Sequence, residues 1–139
     1  MPKISRFFIK FGMLYLFIGV ILFTLSEIPI LQLNIPLLPI YWHMIALGWI
    51  SQIIFGVSLW MFPKNKQTIS KNGSRLSWIS FISLNLGLVF RFCSEPFLLN
   101  NRELVFIPFI ASIVLQVLGV FCFILEIWPR LSTSPRKQT

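Results

Sequence analysis

Residues 41 to 64, YWHMIALGWISQIIFGVSLWMFPK, decide the fold, because no Asp, Glu, Lys or Arg interrupts the run before Lys64. A helix needs roughly 20 apolar residues to cross the hydrocarbon core of a bilayer. Across all 139 residues, charged side chains make up 12%, against about 25% in typical soluble domains. We therefore predict a membrane-spanning helix here and an integral membrane protein overall.

Three further apolar stretches of similar length accompany this run. The predicted spans are about 4–25, 40–62, 76–95 and 104–128. Barrel strands would alternate apolar and polar residues with a period of two, which these stretches do not. The sequence predicts an all-α fold, an integral membrane four-helix bundle, in which residues 1–139 form a single four-span domain. Pro129 is expected to end the fourth span, leaving 130–139 as a polar cytoplasmic tail.

The basic residues predict the orientation of the bundle. Ten of the 12 Lys and Arg residues lie before the first span, between the second and third, or after the fourth: Lys3, Arg6, Lys10, Lys64, Lys66, Lys71, Arg75, Arg130, Arg136 and Lys137. The positive-inside rule then places both termini in the cytoplasm. The net charge of +8 is explained without a nucleic-acid partner. We expect these cations to interact with the lipid bilayer, including its anionic headgroups.

The third span carries its polar residues on one face. At 100° per residue, an arc of about 80° holds Ser80, Ser83, Gly87, Arg91 and Ser94, with Glu95 beside it. Small and hydroxyl residues predict a close helix contact. A guanidinium in the hydrocarbon costs from about 3 kcal/mol upward unless something pairs with it. Glu95 at i,i+4 is one available partner of Arg91, and an anionic ligand group is the alternative.

His43 is the single histidine of the chain, and three interpretations of it stay open. It is a hydrogen-bonded histidine at the membrane interface, an axial ligand of a haem iron, or a group that exchanges protons or hydrogen bonds with a quinol. In the haem interpretation, Ala46 and Ile50 wall the ring with Trp42 beside it, and Arg91 pairs with a propionate. A second axial ligand would then come from Met44, from a second copy, or from another subunit.

The segment from Trp42 to Pro96 resembles a known family. It is similar to part of the catalytic subunit (subunit I) of haem-copper oxidases, especially C-type oxidases and nitric oxide reductases, and to small four-span bacterial proteins grouped with it. The resemblance is carried, in order, by Trp42, His43, Gly48, Trp49, Gly56, Phe62, Pro63, Asn85, Gly87, Arg91, Glu95 and Pro96. It implies a respiratory membrane context, haem b as cofactor, and electron transfer or gas sensing in a homo-oligomer or larger complex.

The same resemblance limits the chemistry that we expect. In the full catalytic subunit the span after the matching one contributes a His pair to copper, and this chain has no histidine there, so we predict no copper site. We predict no catalytic residues and no activity for the isolated chain. The alternative function is a cofactor-free accessory or assembly subunit of a respiratory complex, in which Trp42, Trp49, Arg91 and Glu95 pack and orient the helices.

Overall fold

A computed structural model describes residues 1–28, 37–62, 74–98 and 102–132 of the chain. Its elements, in chain order, are α1 (Lys3–Ser26), α2 (Leu37–His43), a π-helical segment (Met44–Ile50), α3 (Ser51–Met61), α4 (Arg75–Ser94), a 3₁₀ turn (Glu95–Phe97) and α5 (Arg102–Ser132). The described residues contain no strand. The predicted all-α fold is confirmed.

Four helical runs are long and apolar enough to cross a membrane: Lys3–Ser26, Leu38–Met61, Arg75–Phe97 and Arg102–Leu131. The second run joins α2, the π segment and α3. The fourth run differs from the predicted span 104–128, because the helix continues through Pro129 to Ser132. Arg130 stabilises this last turn, since its Nη1 donates to the Phe62 carbonyl at 2.9 Å and its guanidinium pairs with Glu126. The predicted tail therefore begins after the helix, and 133–139 lie outside the described residues.

The π segment lies in the middle of a helix that the sequence predicts to be regular. The Ser51 N–H donates to the Ala46 carbonyl five residues earlier, and the Ser51 hydroxyl donates to the same oxygen at 2.8 Å. A helix with i→i+5 hydrogen bonds turns through less than 100° per residue, so it shifts the faces of the residues that follow it. An α-helical wheel drawn through the whole second span therefore misplaces the residues of one half relative to those of the other half.

The bundle has two ends, which we name by their residues. The basic end holds Lys3, Phe62, Arg75 and Arg130, and the His43 end holds Ser26, His43 and Glu95. Near the basic end, the Phe55 and Phe123 rings stack at 3.6 Å between centroids. The core there comprises Ile4, Phe8, Phe55, Leu59, Phe81, Leu84, Phe123 and Ile127. A second core toward the His43 end comprises Tyr15, Leu22, Ile40, Met44 and Leu88.

Helices α4 and α5 approach each other closely through small residues. A Cβ atom on Gly119 would lie 3.0 Å from the Leu84 backbone nitrogen and 3.1 Å from the Ser80 carbonyl oxygen. The Ser80 hydroxyl donates to the Gly119 carbonyl at 2.7 Å, and the Gln116 side-chain amide donates to the Gly87 carbonyl at 3.2 Å. Small residues thus let the two backbones approach, as in other membrane helix pairs. This contact fixes the position of the polar α4 face against α5.

A buried ionic group joins three helices at the basic end, and we call it the basic-end clasp. Glu126 is 1% exposed, accepts a hydrogen bond from the Ser74 hydroxyl at 2.7 Å, and pairs with Arg130. Arg130 also donates to the Phe62 carbonyl at the end of α3. The clasp therefore connects the end of α3, the start of α4 and the last turns of α5.

Candidate functional site

His43 ends α2 and is held by a hydrogen bond from its own ring. Its Nδ1 lies 2.8 Å from the Pro39 carbonyl oxygen, one turn earlier in the helix. A carbonyl oxygen can only accept, so Nδ1 carries the hydrogen. In the neutral imidazole the lone pair is then on Nε2, which has no hydrogen bond to the described residues. The arrangement leaves Nε2 as the nitrogen that can bind a metal or accept a proton.

Arg91 and Glu95 lie beside His43 and form an ion pair. Arg91 Nε donates to Glu95 Oε2 at 3.1 Å, and the same carboxylate oxygen lies 3.9 Å from His43 Nδ1. Glu95 is 5% exposed. The Arg91 guanidinium carbon lies 4.4 Å from the centre of the Phe109 ring, at cation–π distance. The structure thus brings together the three polar residues that the sequence singles out at this end of the bundle.

A pocket of about 540 Å³ lies next to this cluster, between the second span and α5. His43, Leu47 and Arg91 line one side, and the remaining lining comes from α5: Phe109, Ile113, Gln116, Val117, Val120, Phe121 and Ile124. The volume falls within the range of about 300–1,000 Å³ for small-molecule and cofactor pockets. An apolar pocket with an imidazole, a cation and an amide suits a flat, largely apolar ligand that carries one anionic group.

The residues that the sequence assigns to the pocket wall lie elsewhere. Trp42, Ala46 and Ile50 are exposed, and none of them is among the residues that line this pocket. The π segment explains the difference, because its slower rotation turns positions 46 and 50 away from the face of His43 and keeps Leu47 close to it. Leu47, which an α-helical wheel also places on the face of His43, stays on that face while Ala46 and Ile50 leave it.

Met44 is poorly placed to supply a second axial ligand. Its side chain is 1% exposed and packs in the core at the His43 end with Ile40 and Leu88, and it does not line the pocket. Of the residues that line the pocket, His43 alone carries an atom suited to iron. The described part of the chain holds no group of three or more His, Cys, Asp or Glu residues that could bind a metal ion.

Sequence reasoning missed the contribution of α5 to this pocket. Gln116 offered a signal, since an amide within a long apolar run usually has a specific partner. Its side chain is 7% exposed, donates to Gly87 and lines the pocket. Phe109, in contrast, is one of many aromatic residues in the span and becomes distinctive only through its contact with Arg91.

Comparisons of the chain with models of protein families, with curated proteins and with solved structures find no match. Chemically, the site offers an imidazole whose Nε2 has no hydrogen bond to the described residues, next to a cation that is paired with Glu95.

Proposed function

We propose that this chain is an integral membrane protein related to subunit I of haem-copper oxidases that binds haem b through His43. Its role would be electron transfer or gas sensing in a respiratory complex of the bacterial inner membrane. The pocket between the second span and α5 is the proposed haem site, with His43 Nε2 as axial ligand. The resemblance in residues 42–96 and the geometry around His43 both support this proposal.

The observation that carries the proposal is the hydrogen bond from His43 Nδ1 to the Pro39 carbonyl. Histidines that bind metals almost always donate their other ring N–H to a carbonyl or carboxylate, which fixes the tautomer and the ring orientation. His43 has this arrangement with Pro39, and the Glu95 carboxylate lies 3.9 Å from the same nitrogen. A histidine that only packs at the membrane interface does not require that Nδ1, rather than Nε2, donates the hydrogen bond.

The other pocket residues fit the same ligand. Arg91 is the one cation in the pocket lining, and a guanidinium pairs well with a propionate carboxylate. Leu47, Ile113 and Val117 supply aliphatic surface for the faces of the ring and exclude water from it. When bound, haem would supply one-electron iron chemistry and a site for diatomic gases. The protein's own contribution is the axial nitrogen, the propionate partner and the apolar surroundings.

A single chain supplies one axial ligand in this proposal, because Met44 is buried away from the pocket. A second axial nitrogen would come from His43 of a second copy or from another subunit, which favours a homo-oligomer or a larger respiratory complex. A copper site is not part of the proposal, because His43 is the one histidine in the sequence.

The test is a visible absorbance spectrum of protein purified in mild detergent after expression with added haem, before and after reduction with dithionite. We expect a Soret band and reduced α and β bands in the wild type, and their loss in His43→Ala with the helical circular dichroism retained. Met44→Leu is the matched control, a substitution of similar volume on the next residue, and should keep the full spectrum. Full haem content in the folded His43→Ala protein would exclude His43 as the ligand.

A second candidate function is the cofactor-free accessory or assembly subunit. It is favoured by one observation, that Arg91 pairs with Glu95 and His43 Nδ1 donates to the Pro39 carbonyl without any added group. A flat visible spectrum from folded, monodisperse wild-type protein expressed with haem would support this function. If added quinol then bound in a manner that depends on His43, the same pocket would be assigned to a quinol, whose hydroxyl would donate to Nε2.

We also propose that both termini face the cytoplasm. The support is the distribution of cations along the sequence, with ten of 12 Lys and Arg residues before the first span, between the second and third, or after the fourth. The two remaining cations, Arg91 and Arg102, belong to the opposite end, and Arg91 is paired with Glu95.

A further inference from the structure

We propose that the start of α1 binds the phosphate group of an anionic phospholipid. Lys3, Arg6, Phe7 and Lys10 line a small cavity of about 190 Å³ at the basic end, far from the His43 pocket. The three cations follow the spacing i, i+3, i+7, which places them on one face of the helix. All three side chains are exposed. Phe7 lies between them, and its ring centroid is 5.6 Å from that of Trp78.

The local electrostatics favour a bound anion. The first turn of α1 contains no acidic residue, and no side chain caps its free N–H groups. In the described part of the chain, Lys3, Arg6 and Lys10 form no ion pair, so they add positive charge to the positive end of the helix dipole. A phosphate group in the cavity would compensate the three cations and accept hydrogen bonds from them.

The surface above the cavity identifies the anion as part of a lipid. At 100° per residue, an arc of about 100° on α1 contains the cations and a strip of exposed apolar residues. That strip continues from Phe7 through Leu14, Phe17 and Ile21 toward the middle of the membrane-spanning helix. A headgroup in the cavity would therefore place its acyl chains along apolar surface, which a free phosphate ion would not use.

The positive-inside rule does not by itself account for this arrangement. That rule requires cations on one side of the membrane but sets neither their helical face nor their number around one cavity. The convergence of three cations on a small cavity is the additional feature. Clusters of basic residues next to membrane helices attract anionic lipid headgroups.

The test is native mass spectrometry of the full chain in mild detergent, titrated with phosphatidylglycerol or with phosphatidylcholine. We expect one preferential phosphatidylglycerol adduct in the wild type, and at least tenfold weaker binding in K3Q/R6Q/K10Q. The control K64Q/K66Q/K71Q removes the same charge from another basic segment and should stay within twofold of the wild type. The charge-retaining variant K3R/K10R should also bind as the wild type does.

Equal weakening in the two triple variants would overturn the proposal, since it would mean a diffuse charge effect. Undiminished binding in K3Q/R6Q/K10Q would overturn it as well. If inorganic phosphate at similar concentration displaced the lipid adduct fully, the occupant would be a phosphate ion and the lipid assignment would be wrong. If the triple variant fails to fold, the single variants K3Q, R6Q and K10Q replace it, and at least two of them should weaken binding several-fold.

Discussion

Arg91 and Glu95 illustrate how one residue pair is tolerated inside a membrane protein. Their side chains are 12% and 7% exposed, and each charge is stabilised mainly by the other. Removing one member of a buried pair costs about 3–5 kcal/mol, because the remaining charge loses its partner in a medium of low polarity. The pair also fixes the carboxylate beside His43, so its loss would alter the proposed ligand site along with the fold.

Glu95→Leu should therefore lower the apparent free energy of unfolding by about 3 kcal/mol, as measured by far-ultraviolet circular dichroism in a denaturing detergent titration. Glu95→Gln is the matched control and should lose less, since its amide oxygen still accepts from Arg91. The double variant R91L/E95L should recover part of the loss, because it leaves no buried charge. If R91L/E95L lost more stability than the summed losses of Arg91→Leu and Glu95→Leu, this explanation would be contradicted.

At the scale of a helix, the contact between α4 and α5 depends on glycine. Gly119 faces backbone atoms of Leu84 and Ser80, which cannot move aside, whereas a Cβ atom on Gly19 would first meet the flexible end of the Ile45 side chain at 2.8 Å. Alanine also favours the helical conformation by up to about 1 kcal/mol relative to glycine. The same substitution at these two positions should thus have opposite outcomes.

We expect Gly119→Ala to lower the apparent free energy of unfolding by about 1–3 kcal/mol, because α4 and α5 must separate slightly. Gly19→Ala should be neutral or weakly stabilising. Both variants can be compared by the same detergent titration used for Glu95. Equal stability of the two alanine variants would show that the α4–α5 contact adjusts more easily than its geometry indicates.

The four helices were predictable from the sequence, while parts of the site were not. Long uncharged runs such as 41–63 determine a membrane helix almost alone, and the Arg91–Glu95 spacing already brings two side chains together. In the π segment Gly48 packs against Tyr15 and the Ser51 hydroxyl adds a hydrogen bond, and neither contact has a periodic signature in the sequence. Its rotation is why Leu47, rather than Ala46 or Ile50, lines the pocket with His43.

At the scale of the whole molecule, the basic-end clasp connects the end of α3, the start of α4 and the last turns of α5. Glu126→Leu would remove the carboxylate that holds Arg130 and Ser74. We expect about 3 kcal/mol lower stability, together with faster amide hydrogen exchange at the end of α3 and the start of α4. Glu103→Leu removes the same charge from an exposed position in the first turn of α5, so it should lower stability by less than about 1 kcal/mol and leave the exchange at α3 and α4 unchanged. Unaltered exchange in Glu126→Leu would contradict a connecting role.

The orientation of the whole bundle can be tested separately from its cofactor. Reporter domains that are active only in the cytoplasm should be active when fused to the N-terminus or to the C-terminus, since both lie on the cation-rich side. A reporter that is active only in the periplasm should be inactive at either position. A cytoplasmic signal from one terminus and a periplasmic signal from the other would contradict the even number of spans.

The π segment has a consequence for how this protein tolerates changes in length. It joins the half of the second span that carries His43 to the half that carries Gly56, which packs against α1. A π segment turns less per residue than an α-helix, so it accommodates about one extra residue while both halves keep their faces. Deleting one residue within it, such as Ala46, should restore i→i+4 bonding and leave His43 beside its carboxylate neighbour and Gly56 against α1. The same deletion within α3 would turn the two halves by about 100° relative to each other. The span should therefore absorb a single-residue deletion in the π segment better than one elsewhere.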